Sequence, residues 1–258
     1  GHYYENIVIN KFLILHSFAA AGDLSYIEQT IIDADGSGKP IAVNGGFDGG
    51  EINGFTIQNG FEPIDSNDWP ANDGGGMVIL VSDYRAKNLI VKNNQARWGG
   101  GISVHSPGSY LENIIIENNV AEDGAGLFYA RSGHGFAKDI ILKNNSSSNM
   151  GGGVYFYNGS NIEMVNLTSQ GNFGSYGPGV NAYAYCHANI TNALITDNHA
   201  YNATGGVVAF YHSSIALTNA TITNNTAEED DAGLFAGNVS NIFLTNSILW
   251  GQSKNQDS

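Results

Sequence analysis

The sequence predicts an all-β fold in which short parallel strands stack, coil upon coil, into a solenoid. Glycine-rich corners recur along most of the chain, and successive corners are 25 to 27 residues apart. Two columns of asparagine keep the same spacing, and the residues between the two columns alternate between apolar and polar. A constant period of this size is typical of stacked repeat proteins, in which each coil closes only against its neighbours.

The glycine corner is the first element of each repeat. The final glycines of the corners lie at positions 76, 101, 126, 153, 179, 206 and 233. In the segment GGGVYFYNGSN, residues 151–161, three glycines run directly into large apolar residues that favour a strand. We therefore predict that the glycines form a bend where a Cβ atom would clash or where φ is positive.

Asparagine columns mark the next strand of each repeat. The first column consists of Asn88, Asn113, Asp139, Asn166, Asn192, Asn219 and Asn246. The second column lies six residues later and consists of Asn94, Asn119, Asn145, Asn172, Asn198, Asn225 and Gln252. The first and third positions between the columns are apolar, as in Leu89 and Val91, which predicts a strand with one buried face, although Ser169 departs from the pattern. Asparagine at a bend tolerates left-handed backbone angles and can bond to the asparagine of the next coil.

These motifs resemble those of right-handed parallel β-helix proteins of the pectate-lyase-like superfold. The corner and the NxxIxxN-type run at 113–119 carry the resemblance across residues 74–252, and YYENI, QTIIDADGSG and INGFTIQNG are similar to the opening coils of such proteins. The repeat is similar to that of secreted β-helix proteins of Bacteroidetes-type bacteria and of chlamydial polymorphic outer-membrane proteins. The resemblance implies a single right-handed parallel β-helix, an architecture that carries lyases, hydrolases, esterases, adhesins and passive stalks.

We expect one domain over residues 1–258. Its parts are opening coils at 1–60, a loop insertion at 61–73, regular coils at 74–252 and a polar tail at 253–258. The segment FLILHSFAAA at 12–21 is faintly similar to a signal-peptide core, but it lies where a first coil belongs. We expect the sequence to start inside a mature exported protein, and its uncapped last coil to be continued or covered by a partner.

Composition limits the classes of function. The chain has 10 Lys and Arg residues against 24 Asp and Glu residues, and a formal net charge of −14. We expect no binding to nucleic acid, because phosphate contacts need basic residues. We also expect no membrane-spanning segment, since no apolar run is long enough. An acidic chain rich in Gly, Asn and Thr favours a secreted or cell-surface protein, and the single Cys186 is predicted to be a buried small side chain rather than a nucleophile.

An aromatic stripe is the main candidate binding surface. On the strand after each corner, alternation places one set of side chains inward, such as Val154 and Phe156, and the other set outward. The candidate substrate-binding residues of the outward set are Phe128, Tyr155, Tyr157, Tyr183, Tyr185, Phe210 and His212. Two interpretations stay open: sugar rings stack on this stripe, or a loop, a terminal segment or a second subunit covers it.

Candidate catalytic residues cluster in the early coils. They are His105, Arg131, His134, Asp83 and Arg85. The resemblance implies that a lyase would need acidic Ca²⁺ ligands and a basic residue on one outer sheet, and that a hydrolase would need convergent carboxylates. The regular outward positions of the aromatic strand have no carboxylate. A proton-transfer group would require His105 and Arg131 to approach each other on adjacent coils.

Ca²⁺ is the candidate cofactor. Asp33 and Asp35 lie in the segment DADGSG, which is faintly similar to a calcium loop but lacks the further acidic ligands of an EF-hand. Acidic residues also precede several corners, among them Asp73, Glu122 and Asp123. These predict solvated turns, with stacked Ca²⁺ sites as the alternative.

The leading hypothesis is a non-catalytic β-helix that binds polysaccharide or a cell-surface glycan, or acts as an adhesin, through the aromatic stripe. The alternative hypothesis is a polysaccharide lyase or hydrolase that acts on acidic polysaccharide. A second alternative is a structural stalk. Self-association at an uncapped end or through the aromatic stripe is a further hypothesis about partners.

Overall fold

The computed structural model describes residues 1–21, 23–63, 73–131, 134–202, 204–229 and 232–254. The predicted fold is confirmed, because parallel strands from successive coils pair into three sheets that surround one core. A regular coil runs from a glycine corner into sheet 2, through a turn into sheet 1, and through a bend into sheet 3. The next corner then begins the following coil.

Sheet 1 contains the longest strands. In the regular coils each of these strands begins a few residues before the first asparagine column and ends shortly before the second column. All its pairings are parallel. Its strands are His2–Tyr4, Ile14–His16, Ile31–Asp33, Glu51–Gln58, Arg85–Lys92, Tyr110–Glu117, His134–Lys143, Asn161–Gln170, His187–Thr196, Ser214–Thr223, Asn241–Thr245 and Ile248–Trp250.

Sheet 2 consists of two strands of the opening coils and the strands that follow the glycine corners, and its outer face carries the predicted aromatic stripe. Its strands are Ile7–Ile9, Ile41–Val43, Met77–Ile79, Ile102–Val104, Leu127–Ala130, Val154–Tyr157, Val180–Tyr183, Val207–Phe210 and Leu234–Gly237.

Sheet 3 is made of short strands that precede the glycine corners. Its strands are Gln95–Trp98, Val120–Asp123, Ser146–Ser147, Phe173–Gly174, His199–Ala200, Thr226–Ala227 and Ser253–Lys254.

A short helical segment interrupts sheet 1 near the start of the chain. It contains a 3₁₀ turn at Phe18–Ala21 and one turn of α-helix at Tyr26–Gln29. The hydroxyl of Thr56 donates to the carbonyl of Ile27 at 2.8 Å, which fixes this helix against the stack. The strand Ile14–His16 pairs with the strand Glu51–Gln58, so the segment similar to a signal-peptide core is part of the stack.

The core follows the predicted alternation. Leu89 and Val91 and their counterparts up to Ala220 and Ile222 are buried, and the interior is one continuous apolar cluster, whereas Leu249 in the last described coil is 46% exposed. Ser169, which departed from the pattern, is also buried, and its hydroxyl donates to the carbonyl of Gly179 at 2.8 Å. Cys186 is buried as predicted, and burial raises the pKa of its thiol to about 11.

The second asparagine column forms an internal ladder. The side-chain amide of Asn145 donates to Oδ1 of Asn172 at 3.1 Å and to the carbonyl of Ile116 at 2.9 Å. In turn, Oδ1 of Asn145 accepts from the backbone and the side chain of Asn119. The ladder extends from Asn94 to Gln252. Each side chain therefore satisfies buried backbone groups at a bend and ties two coils together.

The first asparagine column forms a second ladder on the outer surface of sheet 1. Asn166 donates to Asp139 at 2.6 Å, and Asn192 donates to Asn166 at 3.1 Å. The residues of this column have positive φ angles, for example 60° at Asn166. Both predicted roles of asparagine, tolerance of the left-handed region and bonding between coils, are thus confirmed.

The glycine corner has two separate steric requirements. Gly151 has a φ of 63°, and a Cβ atom there would lie 2.6 Å from Cβ of Tyr155. Gly152 has no such angle, but a Cβ atom there would overlap the carbonyl oxygen of Phe173, which lies at the end of the same coil. The first contact shows that the corner folds back over the outer face of sheet 2, which determines how much of the aromatic stripe reaches solvent.

The predicted insertion at 61–73 is described only at its two ends. Phe61 forms bridges with Gly38 and Gln95, and Asp73 forms a bridge with Trp98. Residues 64–72 of the predicted insertion, and residues 255–258 of the predicted tail, lie outside the described residues.

Candidate functional site

The outer face of sheet 2 carries two columns of side chains rather than one stripe. The column next to the corners consists of Phe128, Tyr155, Asn181 and Val208, which pair in register on successive coils. The second column, two residues further along each strand, consists of Ala130, Tyr157, Tyr183 and Phe210. The predicted outward direction is right for both columns, but their exposure differs.

The column next to the corners is covered by the chain itself. Phe128 is 2% exposed and Tyr155 is 4% exposed, and they form an apolar cluster with Ala130 against which Trp98 and Met150 pack. The phenol of Tyr155 donates to Sδ of Met150 at 3.3 Å, and burial raises its pKa well above the usual value. The sequence predicted that Phe128 and Tyr155 face solvent and contact a ligand. Both side chains are instead covered, because the corner before each strand folds over them.

The second column forms an aromatic ladder, by which we mean Tyr157, Tyr183 and Phe210. All three side chains are half-buried. The ring centroids of Tyr157 and Tyr183 are 6.2 Å apart and those of Tyr183 and Phe210 are 5.9 Å apart, with interplanar angles of 16° and 19°. These separations exceed the strand spacing of about 4.8 Å, so the rings are offset and part of each face is uncovered.

Tyr185 and His212 lie beside the ladder, in turns rather than on strands. The strand ends at Tyr183, and both Ala184 and Tyr185 have positive φ angles, so the alternation that predicted Tyr185 as a strand residue stops there. Tyr185, Tyr211 and His212 form a turn cluster in which the rings of Tyr185 and His212 stack at 5.1 Å. Tyr185 is 55% exposed and Tyr211 is 38% exposed.

Sequence reasoning missed Tyr211 because alternation assigns it inward. Its φ of 56° turns the chain after Phe210, so its ring stacks on Tyr183 at 6.0 Å and extends the aromatic surface. The turn positions of successive coils, such as Arg131, Asn158 and Ala184, share this left-handed conformation. Asparagine at position 158 was the sequence signal that could have identified the turn.

A pocket of about 390 Å³ lies where the ladder meets the corners. We call it the corner pocket. It is lined by Trp98, Asp123, Phe128, Arg131, Asn149, Met150, Tyr155, Tyr157 and Tyr183. The volume lies within the range of about 300–1,000 Å³ that is usual for small-ligand sites. Four predicted binding residues and one predicted catalytic residue, Arg131, are thus brought to one place.

Asp123 organises the wall of the corner pocket. Its Oδ2 accepts a hydrogen bond from the indole nitrogen of Trp98 at 3.1 Å, and its Oδ1 accepts from the amide of Asn149 at 2.9 Å and the backbone of Met150 at 3.0 Å. Burial raises the pKa of this carboxyl group. The sequence predicted that Asp123 lies in a solvated turn. This prediction is wrong, because the carboxylate of Asp123 is bonded to residues at the corners of the neighbouring coils.

His105 belongs to a separate, buried group. Its side chain is 7% exposed, and its Nε2 lies 2.8 Å from Oδ2 of Asp73 and 2.7 Å from the hydroxyl of Ser103. A serine–histidine–aspartate relay needs the two partners on opposite ring nitrogens, whereas both partners here meet the same nitrogen. Burial raises the pKa of Asp73, and the contact with His105 opposes that effect. The arrangement anchors the end of segment 61–73 rather than presenting a nucleophile.

The other predicted catalytic residues lie at the turn into sheet 1. Asp83 and His134 belong to the same stack of turns, where the backbone of Asp83 bonds to Pro107 and that of Gly108 bonds to His134. Arg85 starts a sheet 1 strand and pairs in register with Tyr110. His105 is buried against Asp73, while Arg131 lines the corner pocket, so the structure gives the two residues different surroundings.

Both carboxylate oxygens of Asp33 already accept hydrogen bonds from other residues. It is 3% exposed and accepts hydrogen bonds from His2, Gln58, Asn59 and the backbone of Asp35. Burial alone would raise its pKa, but these donors lower the pKa to about 2. Asp35 is exposed. Within the described ranges, no three His, Cys, Asp or Glu side chains come together as a metal site, so Ca²⁺ binding stays a prediction.

Among the described residues, no helix has both the length and the apolar character needed to cross a membrane. No curated protein and no solved structure matches the chain. A family model described as a right handed beta helix region matches residues 81–249, which is well over half of the chain. This match agrees with the parallel stack of three sheets, and the chain belongs to the right-handed β-helix family.

Proposed function

We propose that the protein is a secreted or cell-surface β-helix that binds polysaccharide along the aromatic ladder. The observation that carries the proposal is the row of Tyr157, Tyr183 and Phe210, half-buried and stacked with offset rings on a rigid sheet. Tyr and Phe offer a wide contact area at a small cost in side-chain entropy, and phenol groups can bond to sugar hydroxyls. The resemblance of the repeat to secreted bacterial β-helix proteins supports the location.

The surroundings of the ladder favour an extended ligand. The turn cluster of Tyr185, Tyr211 and His212 continues the aromatic surface sideways, and the corner pocket adds the polar groups of Arg131 and Asp123. Parallel strands hold the rings of the ladder in fixed register, so little order has to be gained there on binding. A row of this kind binds each sugar unit weakly but several units together, and the affinity should therefore rise with oligosaccharide length.

The test is affinity electrophoresis through gels that contain polygalacturonate, alginate, xylan or a mixed-linkage β-glucan. We expect at least one of these polymers to retard the protein, and the variant Tyr157→Ala/Tyr183→Ala to lose the retardation. Tyr110→Ala is the matched control, because Tyr110 is also a half-buried ring stacked on a neighbour, Phe136, but lies on sheet 1. If no polymer retards the protein, a structural stalk is the better interpretation.

A polysaccharide lyase acting on an acidic polymer is the second candidate, and the observation that favours it is that Arg131 and Asp123 both line the corner pocket. In such a reaction a base removes the proton from the carbon that carries the carboxylate, and the bond from the neighbouring carbon to the glycosidic oxygen breaks. The product is an unsaturated, ultraviolet-absorbing chain end. We would incubate the protein with polygalacturonate and alginate, with and without Ca²⁺, and compare it with Arg131→Ala. Constant absorbance under all conditions contradicts the lyase.

A further inference from the structure

The aromatic ladder is closed at the end that faces the strand Leu127–Ala130. On the strand Leu127–Ala130 both outward side chains, Phe128 and Ala130, are buried, whereas the ladder residues Tyr157, Tyr183 and Phe210 on the following strands are half-buried. The column next to the corners stays buried from Ser103 through to Val208 and is exposed only at Phe235, which is 37% exposed. The corner pocket is lined by residues of both strands and lies where the ladder begins.

The wall at the closed end is held by contacts across three coils. Asp123 binds the indole of Trp98 on the coil before it and the backbone of Met150 on the coil after it. The guanidinium of Arg97 lies 4.3 Å from the centre of the Trp98 ring and pairs with Glu122 at 3.0 Å. A wall fixed in this way is formed before any ligand arrives, and it does not move aside for a polymer that would continue past it.

We propose that the corner pocket receives the end of a glycan chain, and that the chain runs from there along the aromatic ladder. The inference rests on the proposed function, since it assigns a direction and a terminus to the same site. An internal segment of a polymer would have to pass through Trp98 and Met150, whereas a terminal sugar can stop against them. The guanidinium of Arg131 has donors suited to the hydroxyl or carboxylate oxygens of that terminal sugar.

The test counts binding sites as chain ends are created. The polymer among polygalacturonate, alginate, xylan and β-glucan that retards the protein is sheared by ultrasound into fractions of decreasing length at constant mass. If the protein binds chain ends, the amount of protein bound per gram of polymer at saturation rises by the same factor as the mean chain length falls. If the protein binds internal segments, the amount per gram stays constant, which overturns the inference and leaves the proposed function intact.

Two variants locate the binding site. Tyr183→Ala should lose binding to intact and sheared polymer alike, because it removes a central ring of the ladder. Arg131→Gln should lose the extra capacity created by shearing, and its thermal melting should match that of the unmodified protein. If Arg131→Gln keeps this extra capacity, the pocket is not where the chain end binds. Failure of every polymer to bind the unmodified protein would contradict the proposed function itself.

Discussion

The indole nitrogen of Trp98 donates to the carboxylate of Asp123, one coil further along, over a distance of 3.1 Å. The same carboxylate accepts bonds from Asn149 and from the backbone of Met150 on the following coil. One side chain thus ties the corners of three coils together and shapes the pocket at the end of the aromatic ladder.

Replacing Asp123 should loosen this junction. In Asp123→Asn, one of the two oxygens becomes an amide that cannot accept from Trp98 or Met150, and we expect a loss of about 1–3 kcal/mol in the free energy of unfolding. Glu122→Gln is the control, because Glu122 is a partly exposed partner of Arg97 on the adjacent position. Denaturant unfolding measures both variants, and equal midpoints would contradict the anchoring role of Asp123.

The buried and the half-buried rings of sheet 2 should respond differently to truncation. Tyr155 is 4% exposed, so we expect Tyr155→Ala to lose about 3–5 kcal/mol of stability through loss of burial and formation of a cavity. Tyr183 is half-buried, so Tyr183→Ala should lower the free energy of unfolding clearly less than Tyr155→Ala does. It should nevertheless abolish retardation by polysaccharide. Thermal melting separates the two. Similar melting temperatures would mean that the corner does not cover Tyr155 in solution.

The internal asparagine ladder should be intolerant of apolar replacement. Asn145→Leu leaves the buried carbonyl of Ile116 without its donor and the amide of Asn119 without its acceptor. We expect a loss of about 3 kcal/mol or more, since several buried polar groups lose partners together. Glu163→Leu, an exposed position on sheet 1, is the control. Comparable unfolding midpoints would show that the ladder adds little to stability.

Two identical glycine substitutions isolate the steric requirement of the corner. A Cβ atom at Gly152 would overlap the carbonyl of Phe173, whereas a Cβ atom at Gly46 would meet nothing within 4 Å, and φ is not positive at either residue. Gly152→Ala should therefore destabilise the protein by about 1–3 kcal/mol. Gly46→Ala should be neutral or slightly stabilising. The prediction is wrong if both variants melt at the same temperature.

Asp33 should make stability depend on acid. Its pKa is about 2 in the folded chain against a usual value of 3.8, so the folded state holds the proton less tightly than the unfolded state. The resulting stabilisation of about 2 kcal/mol is present above pH 4 and is lost as the pH falls through 2. Asp33→Asn should remove this stabilisation. The difference in the free energy of unfolding between this variant and the unmodified protein should therefore shrink as the pH is lowered from 5 to 2. Unfolding in urea across this range measures it, with Asp35→Asn as the exposed control.

The sequence predicted the repeat, the corners, the ladders and the direction of the sheet 2 side chains because each depends on local periodicity. A period of 25–27 residues stacks identical positions, so Asn145 meets Asn119 and Asn172 whatever else the chain does. Alternation within a strand likewise determines that Tyr155 and Tyr157 point away from the core. The prediction failed at Tyr185, where the strand had already ended in a left-handed turn.

By itself, the sequence determined that the protein is a stack of parallel coils with an aromatic outer face, since period and alternation are properties of the chain alone. The tertiary structure decided which of those aromatic residues reach solvent. The corner that covers Tyr155 brings Met150 of its own coil over the strand, while Trp98 and Asp123 come from the two coils before, about 25 residues apart. Contacts between coils have no counterpart in local periodicity, and so the corner pocket and the hydrogen bonds of the half-buried Asp123 became visible only in the folded chain.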